Sequence, residues 1–204
     1  MSQPYKSIGT YAESRYEEKK SVFYGFAKPV TTEEEAVAFV ASIKKKFPDA
    51  RHHVYAYVLR EDNKSRYTDD GEPSGTAGMP VLDIMRKQEL TDCVIVVVRY
   101  FGGTLLGTGG LVRAYTTAAK EAVETAGVVT WMPLTDVQVE CSYSDYQKLT
   151  TLLSGVNVTN TSYGDGITVE ISLPTEEVSA FFLEVTNRTA GRGVCKILGE
   201  RFGF

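Results

Sequence analysis

The 204-residue sequence predicts an α+β protein of two domains. Before about residue 130, strands rich in aromatic and β-branched residues alternate with amphipathic helices. After it the elements follow the order βαββαβ. Between the two, the stretch Thr130-Trp-Met-Pro-Leu134 breaks both patterns and reads as an inter-domain linker over residues 130–135. The domains are therefore expected to cover residues 1–130 and 134–204. With 43% hydrophobic and 24% charged residues, each part has enough apolar material for its own core.

In the first part, residues 21–27 (Ser-Val-Phe-Tyr-Gly-Phe-Ala) read as a first strand. Thr31 and Thr32 each precede a glutamate by three residues, a capping-box signal. Ala36, Val37, Phe39, Val40, Ile43 and Phe47 then recur at helical spacing, with Lys44, Lys45 and Lys46 near the C-terminal end. Pro48 and Asp49 stop that helix. Residues 53–59 alternate as a strand, and residues 60–66 read as a polar loop. Pro80 is placed as the first residue of a second helix carrying Val81, Leu82, Ile84 and Met85. The β-branched run 94–98 predicts a strand covered on both faces. Leu111, Tyr115, Ala118, Ala119, Ala122 and Ala126 predict a third helix, closed by Gly127.

In the second part, a strand at 136–141 leads to a helix at 144–153 with Asp145 in its first turn. Strands at 156–163 and 167–173 flank the turn Gly164-Asp-Gly166, a strong hairpin signal. A helix at 175–187 with Glu176 and Glu177 at its start precedes a strand at 194–198. This order over about seventy residues is the ferredoxin-like split-βαβ plan.

Charge and cysteines narrow the function classes. The chain carries a net charge of −4. Nine acidic and five basic residues from Leu134 onward account for all of it. Non-specific DNA or RNA binding needs a field of cations to displace counterions, and none is present. Cys93, Cys141 and Cys195 form no CxxC pair, which points to reduced thiols and a reducing compartment. The N-terminal Met-Ser-Gln-Pro-Tyr-Lys lacks an apolar signal segment, and no stretch is apolar enough to span a bilayer. A cytoplasmic location without membrane contact is expected.

Two stretches exceed what packing asks for. The first is Asp69-Asp-Gly-Glu-Pro-Ser-Gly-Thr-Ala-Gly78, a shaped acidic loop presenting Asp69, Asp70 and Glu72. The second is a glycine loop that follows a buried strand and opens a helix, with Gly102, Gly103, Gly107, Gly109 and Gly110 between Arg99 and Arg113. Glycines let a backbone approach a ligand, and helix N-terminal amides attract anions. Arg99 and Arg113 would add fork-shaped donors for a phosphate or carboxylate. Arg113 is expected in the first turn of the third helix, where a cation calls for a nearby anion. A structural reading stands beside this one. Arg99 can pair with Asp69, Asp70 or Glu72, the last being the best candidate because Gly71 and Pro73 set its direction.

Other chemistries fit less well. The loop is neither a P-loop nor a dinucleotide fingerprint. The three carboxylates match no EF-hand, so no metal and no cofactor is expected. His52 and His53 point to opposite faces of a strand, so at most one can face a given site. A triad of Ser74, His53 and Asp70 lacks a nucleophile elbow. Tyr55, Tyr57, Tyr100 and Tyr115 are spaced for packing as readily as for base stacking.

These motifs resemble a known family. The acidic loop ending at Gly78, followed by Val-Arg99-Tyr-Phe-Gly-Gly-x-x-Leu-Gly-x-Gly-Gly-Leu-Val-Arg113-Ala-Tyr115, is similar to the YigZ/IMPACT signature. Lys20-Ser-Val-Phe23 and Asp49-Ala-Arg-His-His53 are similar to it as well. The resemblance implies a first domain like domain IV of elongation factor G, a βαβ sandwich, followed by the ferredoxin-like βαββαβ domain of the bacterial branch. It also implies a translation-related context, since eukaryotic relatives restrain the kinase that controls translation initiation. It carries no catalytic residues with it. Thr104-Leu105 stands where many relatives place a basic residue, which weakens a nucleic-acid role for this loop. The expectation is a binding or regulatory protein that meets the ribosome, RNA locally, or a protein of the translation machinery. The alternative is an enzyme acting on a small phosphorylated or carboxylated compound at the glycine loop.

Overall fold

A computed structural model describes residues 3–204. It forms two compact units, Tyr5–Thr130 and Trp131–Phe204, the latter together with Gln3 and Pro4.

The first unit contains β1 (Tyr5–Ile8), β2 (Ala12–Glu18), β3 (Ser21–Pro29), α1 (Glu33–Lys46), β4 (His52–Leu59), β5 (Lys64–Thr68), α2 (Gly78–Lys87), β6 (Cys93–Tyr100) and α3 (Gly107–Ala126). Its sheet has the order β2-β3-β6-β4-β5, with every neighbouring pair antiparallel. Strand β6 is central and buried from Cys93 to Arg99. The two-residue period of a strand then divides its side chains between two cores. Cys93, Ile95 and Val97 pack with α2 and α3, whereas Val94, Val96 and Val98 pack with α1. Each aliphatic side chain so buried contributes about 1.5–3 kcal/mol relative to exposure.

Helix α1 starts where its sequence says it should. Thr32 is the N-cap and accepts from the Glu35 amide at 3.2 Å, while the Glu35 carboxylate takes the Thr31 amide at 2.7 Å. Glu33, Glu34 and Glu35 in the first turn and Lys44, Lys45 and Lys46 in the last oppose the helix dipole. Ala36, Phe39, Val40 and Ile43 are buried, and Val37 points outward. Gly127, with φ of +72°, ends α3 and returns its amide to the Val123 carbonyl.

Several expectations are corrected. Two strands, β1 and β2, precede the strand read as first. Residues 60–66 are not a loop throughout, because a short turn at Glu61–Asn63 gives way to β5. Both β2 and β5 are sheet edges with mostly polar residues, so neither shows the apolar alternation that marks a strand. Pro80 is the third residue of α2, not the first. It is tolerated there because the first-turn amides of a helix have no intrahelical acceptor.

The second unit contains most of β7 (Val128–Cys141), then α4 (Tyr143–Leu153), β8 (Asn157–Tyr163), β9 (Ile167–Pro174), α5 (Val178–Thr189) and β10 (Val194–Gly203). The two units divide between Thr130 and Trp131, inside the stretch read as a linker, and residues 130–135 there are strand, part of β7. The sheet order is β10-β7-β9-β8 with antiparallel neighbours, which is the ferredoxin-like arrangement. Val137, Val139, Ile167, Val169, Ile171 and Leu173 line the helix-facing core with Leu149, Phe181 and Val185. The residues alternating with them on β7 and β9 are Asp136, Gln138, Glu140, Thr168, Glu170 and Ser172. A single turn at Thr175–Glu177 precedes α5, so the helix read from residue 175 begins at Val178. Among the described residues no helix is long and apolar enough to cross a membrane.

Candidate functional site

The site is built on the end of β6. Antiparallel register places Phe23 of β3 and His52 of β4 on either side of Arg99. All three therefore share the sheet face that packs with α2 and α3. Tyr115 of α3 completes the group, its ring edge-on to Phe23 at 5.2 Å.

The acidic loop between β5 and α2 divides its carboxylates between folding and the site. Asp69 accepts from the amides of Gly75 (2.9 Å), Ala77 (3.1 Å) and Gly78 (2.8 Å), and so supplies the cap that the Ala77 side chain cannot. Asp70 accepts from the His53 amide at 2.6 Å and lies 3.4 Å from the Lys44 ammonium. Glu72 turns inward. Its Oε1 accepts from Arg99 Nη1 and from the Tyr115 hydroxyl, each at 2.7 Å. Burial, then the charge and hydrogen bond of Glu72, push the Tyr115 phenol far above its ordinary range.

Arg99 is 5% exposed and lies 5.6 Å from the ring centres of both Phe23 and Phe101. Besides Glu72, it reaches Ser21 Oγ from Nη2 at 3.5 Å, the outer limit of a hydrogen bond. Its Nε is buried and has no partner. His52 Nδ1 lies 2.9 Å from the Asp70 carbonyl oxygen, which can only accept, so this nitrogen carries a proton. His52 Nε2 is left 3.9 Å from Glu72 Oε1. His53 belongs to the other face, where its Nε2 meets the Phe47 carbonyl at 2.9 Å.

The glycine loop closes the site from the α3 side. Gly102 donates to Ser21 Oγ at 3.2 Å, and a Cβ there would run into the backbone of Lys20 and Ser21. Helix α3 begins at Gly107 after Leu106, and no side chain caps it. Its first-turn amides are thus free for an external acceptor. Between this helix start and the acidic loop lies a recess of about 390 Å³. Its lining combines polar and charged residues, Arg51, His52, Glu72, Arg99 and Thr108, with Pro73, Phe101, Leu105, Leu106, Gly107 and Leu111.

The structure brings together some of the residues picked out from sequence and leaves others apart. Arg99, Glu72 and Gly107 meet at the recess. Gly102 and Gly103 shape the loop, Gly103 with φ of +82°. Gly109 and Gly110 lie in the first turn of α3 without lining the recess. Asp69 and Asp70 hold backbone amides beside it. Arg113 is corrected: it is the seventh residue of α3, in the second turn, exposed and away from the recess. The second arginine at the recess is Arg51, just ahead of β4. The pairing of β4 with β6 is the signal that would have found it, because that pairing sets His52 beside Arg99.

Among the described residues no hydroxyl or thiol hydrogen-bonds a histidine ring, and no three His, Cys, Asp or Glu side chains gather to hold a metal. Tyr57 and Tyr115 are fully buried core residues, so neither offers a face for stacking.

Residues 19–123 match the Impact N-terminal domain, and residues 139–192 match a domain of unknown function, DUF1949. An IMPACT family member of Haemophilus influenzae is 36% identical over 185 residues, covering 88% of this chain and 90% of the relative. The IMPACT family member YvyE of Bacillus subtilis is 35% identical over 199 residues, covering 96% and 92%. A crystal structure described as that of a hypothetical protein superposes with a TM-score of 0.61 at 30% identity, covering 98% of this chain and 99% of the other. The family signature, the two matched domains in order and the near full-length relatives agree, and the chain belongs to the IMPACT family.

Proposed function

We propose that the protein is a binding and regulatory component of translation, and that it takes an anionic group of its partner at the recess beside Arg99. The observation that carries the binding reading is a nearly buried guanidinium with an unpartnered Nε beside an uncapped helix start. Both features lack acceptors within the protein, and an anion in the recess would meet the free helix amides beside the positive charge of Arg99. Family membership supports the translation context, by analogy with eukaryotic relatives. The second domain supports a protein partner over naked RNA. The sheet face turned away from its helices carries Asp136, Glu140 and Glu170 on the central strands, where an RNA-binding sheet would carry aromatic residues. An enzyme reading would rest on His52 and Glu72, which line the recess, because Asp69 and Asp70 are already spent on backbone amides.

The test is an anion titration followed by melting temperature, using phosphate, sulfate, nucleotides, sugar phosphates and small carboxylates, with ribosome co-sedimentation in parallel. At least one anion should raise the melting temperature of the wild type and fail to do so in Arg51→Gln. A melting temperature unmoved by every anion, together with no ribosome association, would sink the reading.

A further inference from the structure

We infer that the recess takes a carboxylate carried on an apolar body, either the free chain end of a peptide with an apolar last residue or a small branched-chain acid. This deepens the anion-site reading above and rests on it.

Three observations select a carboxylate over a phosphate. The first is charge. Arg51 and Arg99 bring two positive charges to the recess, and the Glu72 carboxylate cancels one of them. A single negative charge balances the remainder, whereas a phosphate monoester, at about −1.5 to −2, would leave an excess next to Glu72.

The second is the apolar part of the lining. Leu105 is 83% exposed and Phe101 50% exposed, and both line the recess with Pro73, Leu106 and Leu111. Large apolar side chains held in water at the mouth of a cavity gain from an apolar guest that covers them. A phosphate or sugar phosphate has nothing to offer this apolar part.

The third is donor geometry. Arg99 is nine-tenths buried, spends Nη1 on Glu72, reaches Ser21 only at 3.5 Å from Nη2, and leaves Nε without an acceptor. The Arg99 charge beside free helix amides suits the two oxygens of a carboxylate, one for the amides and one toward Nη2. The recess volume of about 390 Å³ accommodates one carboxylate with one apolar side chain.

The experiment measures fluorescence polarisation of a fluorescein-labelled pentapeptide pool ending in leucine, prepared as free acid and as C-terminal amide. Isocaproate and inorganic phosphate serve as competitors. The free acid should bind about tenfold or more tightly than the amide, the difference that loss of one good interaction produces. Arg51→Gln and Leu105→Asp, both at exposed positions, should each lose that binding while melting as the wild type does. Displacement by isocaproate at concentrations comparable to the peptide assigns the small acid, and displacement only at great excess assigns the peptide chain end. Equal binding of acid and amide overturns the inference. Binding of phosphate or nucleotides that depends on Arg51, with no carboxylate bound, overturns it while leaving the anion site standing. If neither the peptides nor any anion binds, the inference and the anion site fail together.

Discussion

Arg99 and Glu72 are joined by a 2.7 Å hydrogen bond between Nη1 and Oε1, with side chains 6% and 4% exposed. The pair ties the acidic loop to the end of the central strand β6. The Tyr115 hydroxyl donates to the same Glu72 oxygen, so strand, loop and α3 converge on one atom. Both charges were taken out of water to make this contact, and neither can be removed without exposing the cost of burying the other.

Replacing either partner should therefore be expensive. Arg99→Ala and Glu72→Ala are each expected to destabilise the first domain by about 3–5 kcal/mol, the scale for leaving one buried charge unpaired. The double variant Arg99→Met, Glu72→Leu should cost less than the sum of the two single changes, because the second removes the charge the first leaves stranded. Urea unfolding of the four proteins measures this. Strictly additive losses of less than about 1 kcal/mol each would place the pair in the class of surface ion pairs.

Tyr115 makes the stability of the protein sensitive to alkali. Burial, followed by the charge and hydrogen bond of Glu72, keeps its phenol protonated well above 10.0 in the folded state. Tyr57 is held up in the same direction by burial and by Glu33. The unfolded chain releases these protons near pH 10, the ordinary tyrosine value, so it binds fewer protons than the folded one beyond that point. The contribution of these two phenols is complete below about pH 10 and falls as pH rises past it. Tyr115→Phe should show a shallower alkaline decline in the urea midpoint. It should also cost about 1.5–3 kcal/mol at neutral pH, as expected for a hydrogen bond to a charged acceptor. An unchanged alkaline slope would mean that Tyr115 does not contribute to it.

Asp145 plays the opposite part in the second domain. Its carboxylate accepts from Arg192 at 2.7 and 2.9 Å and from Lys148 at 2.7 Å, with Ser142 alongside. These contacts, Arg192 first, hold the carboxyl well below the usual carboxylate range. Its contribution is thus present above about pH 4, the unfolded carboxylate value, and is lost as pH falls below that. Asp145→Asn should lower the melting temperature at pH 7, and the gap to wild type should narrow steadily under acid. A gap that does not depend on pH would argue that Asp145 acts only as the partner of the Ser142 helix cap.

Two neighbouring glycines should respond in opposite directions. Gly102→Ala forces a methyl group into the Lys20–Ser21 backbone, which cannot rotate away, and should yield a protein that unfolds at far lower urea or fails to accumulate. Gly109→Ala meets nothing within 4 Å and lies inside a helix, so it should stabilise by about 0.5–1 kcal/mol. Comparison of the two unfolding midpoints checks this. A destabilised Gly109→Ala would point to a need for bare backbone at the start of α3.

Elements whose signals are carried by sequence neighbours were legible in the chain alone. The Thr32 cap, the Gly127 stop, the buried run of β6 and the βαββαβ order of the second domain depend on residues a few positions apart. Glu72 could be named as the partner of Arg99 because Gly71 and Pro73 constrain its direction within the same loop. Strands β2 and β5 were not legible. They are recruited by the edges of an existing sheet, and edge strands with charged residues carry no pattern of their own. The strand character of residues 130–135 was missed because Trp131 and Pro133 resemble punctuation until β10 pairs with the stretch, Phe202 opposite Pro133 and Gly203 opposite Met132.

The arginine pair shows where local reading stops. Arg99 and Arg113 flank one motif in the sequence, yet helical rotation carries Arg113 to the exposed side of α3. Arg51 lies 48 positions before Arg99 and enters the recess because β4 pairs with β6 in a register that sets His52 opposite Arg99. The sequence by itself determined which segments form helices and central strands, since capping chemistry and apolar periodicity are local. Which charged side chains share the recess was decided only by strand register, and register minimises the free energy of the whole sheet and its two cores.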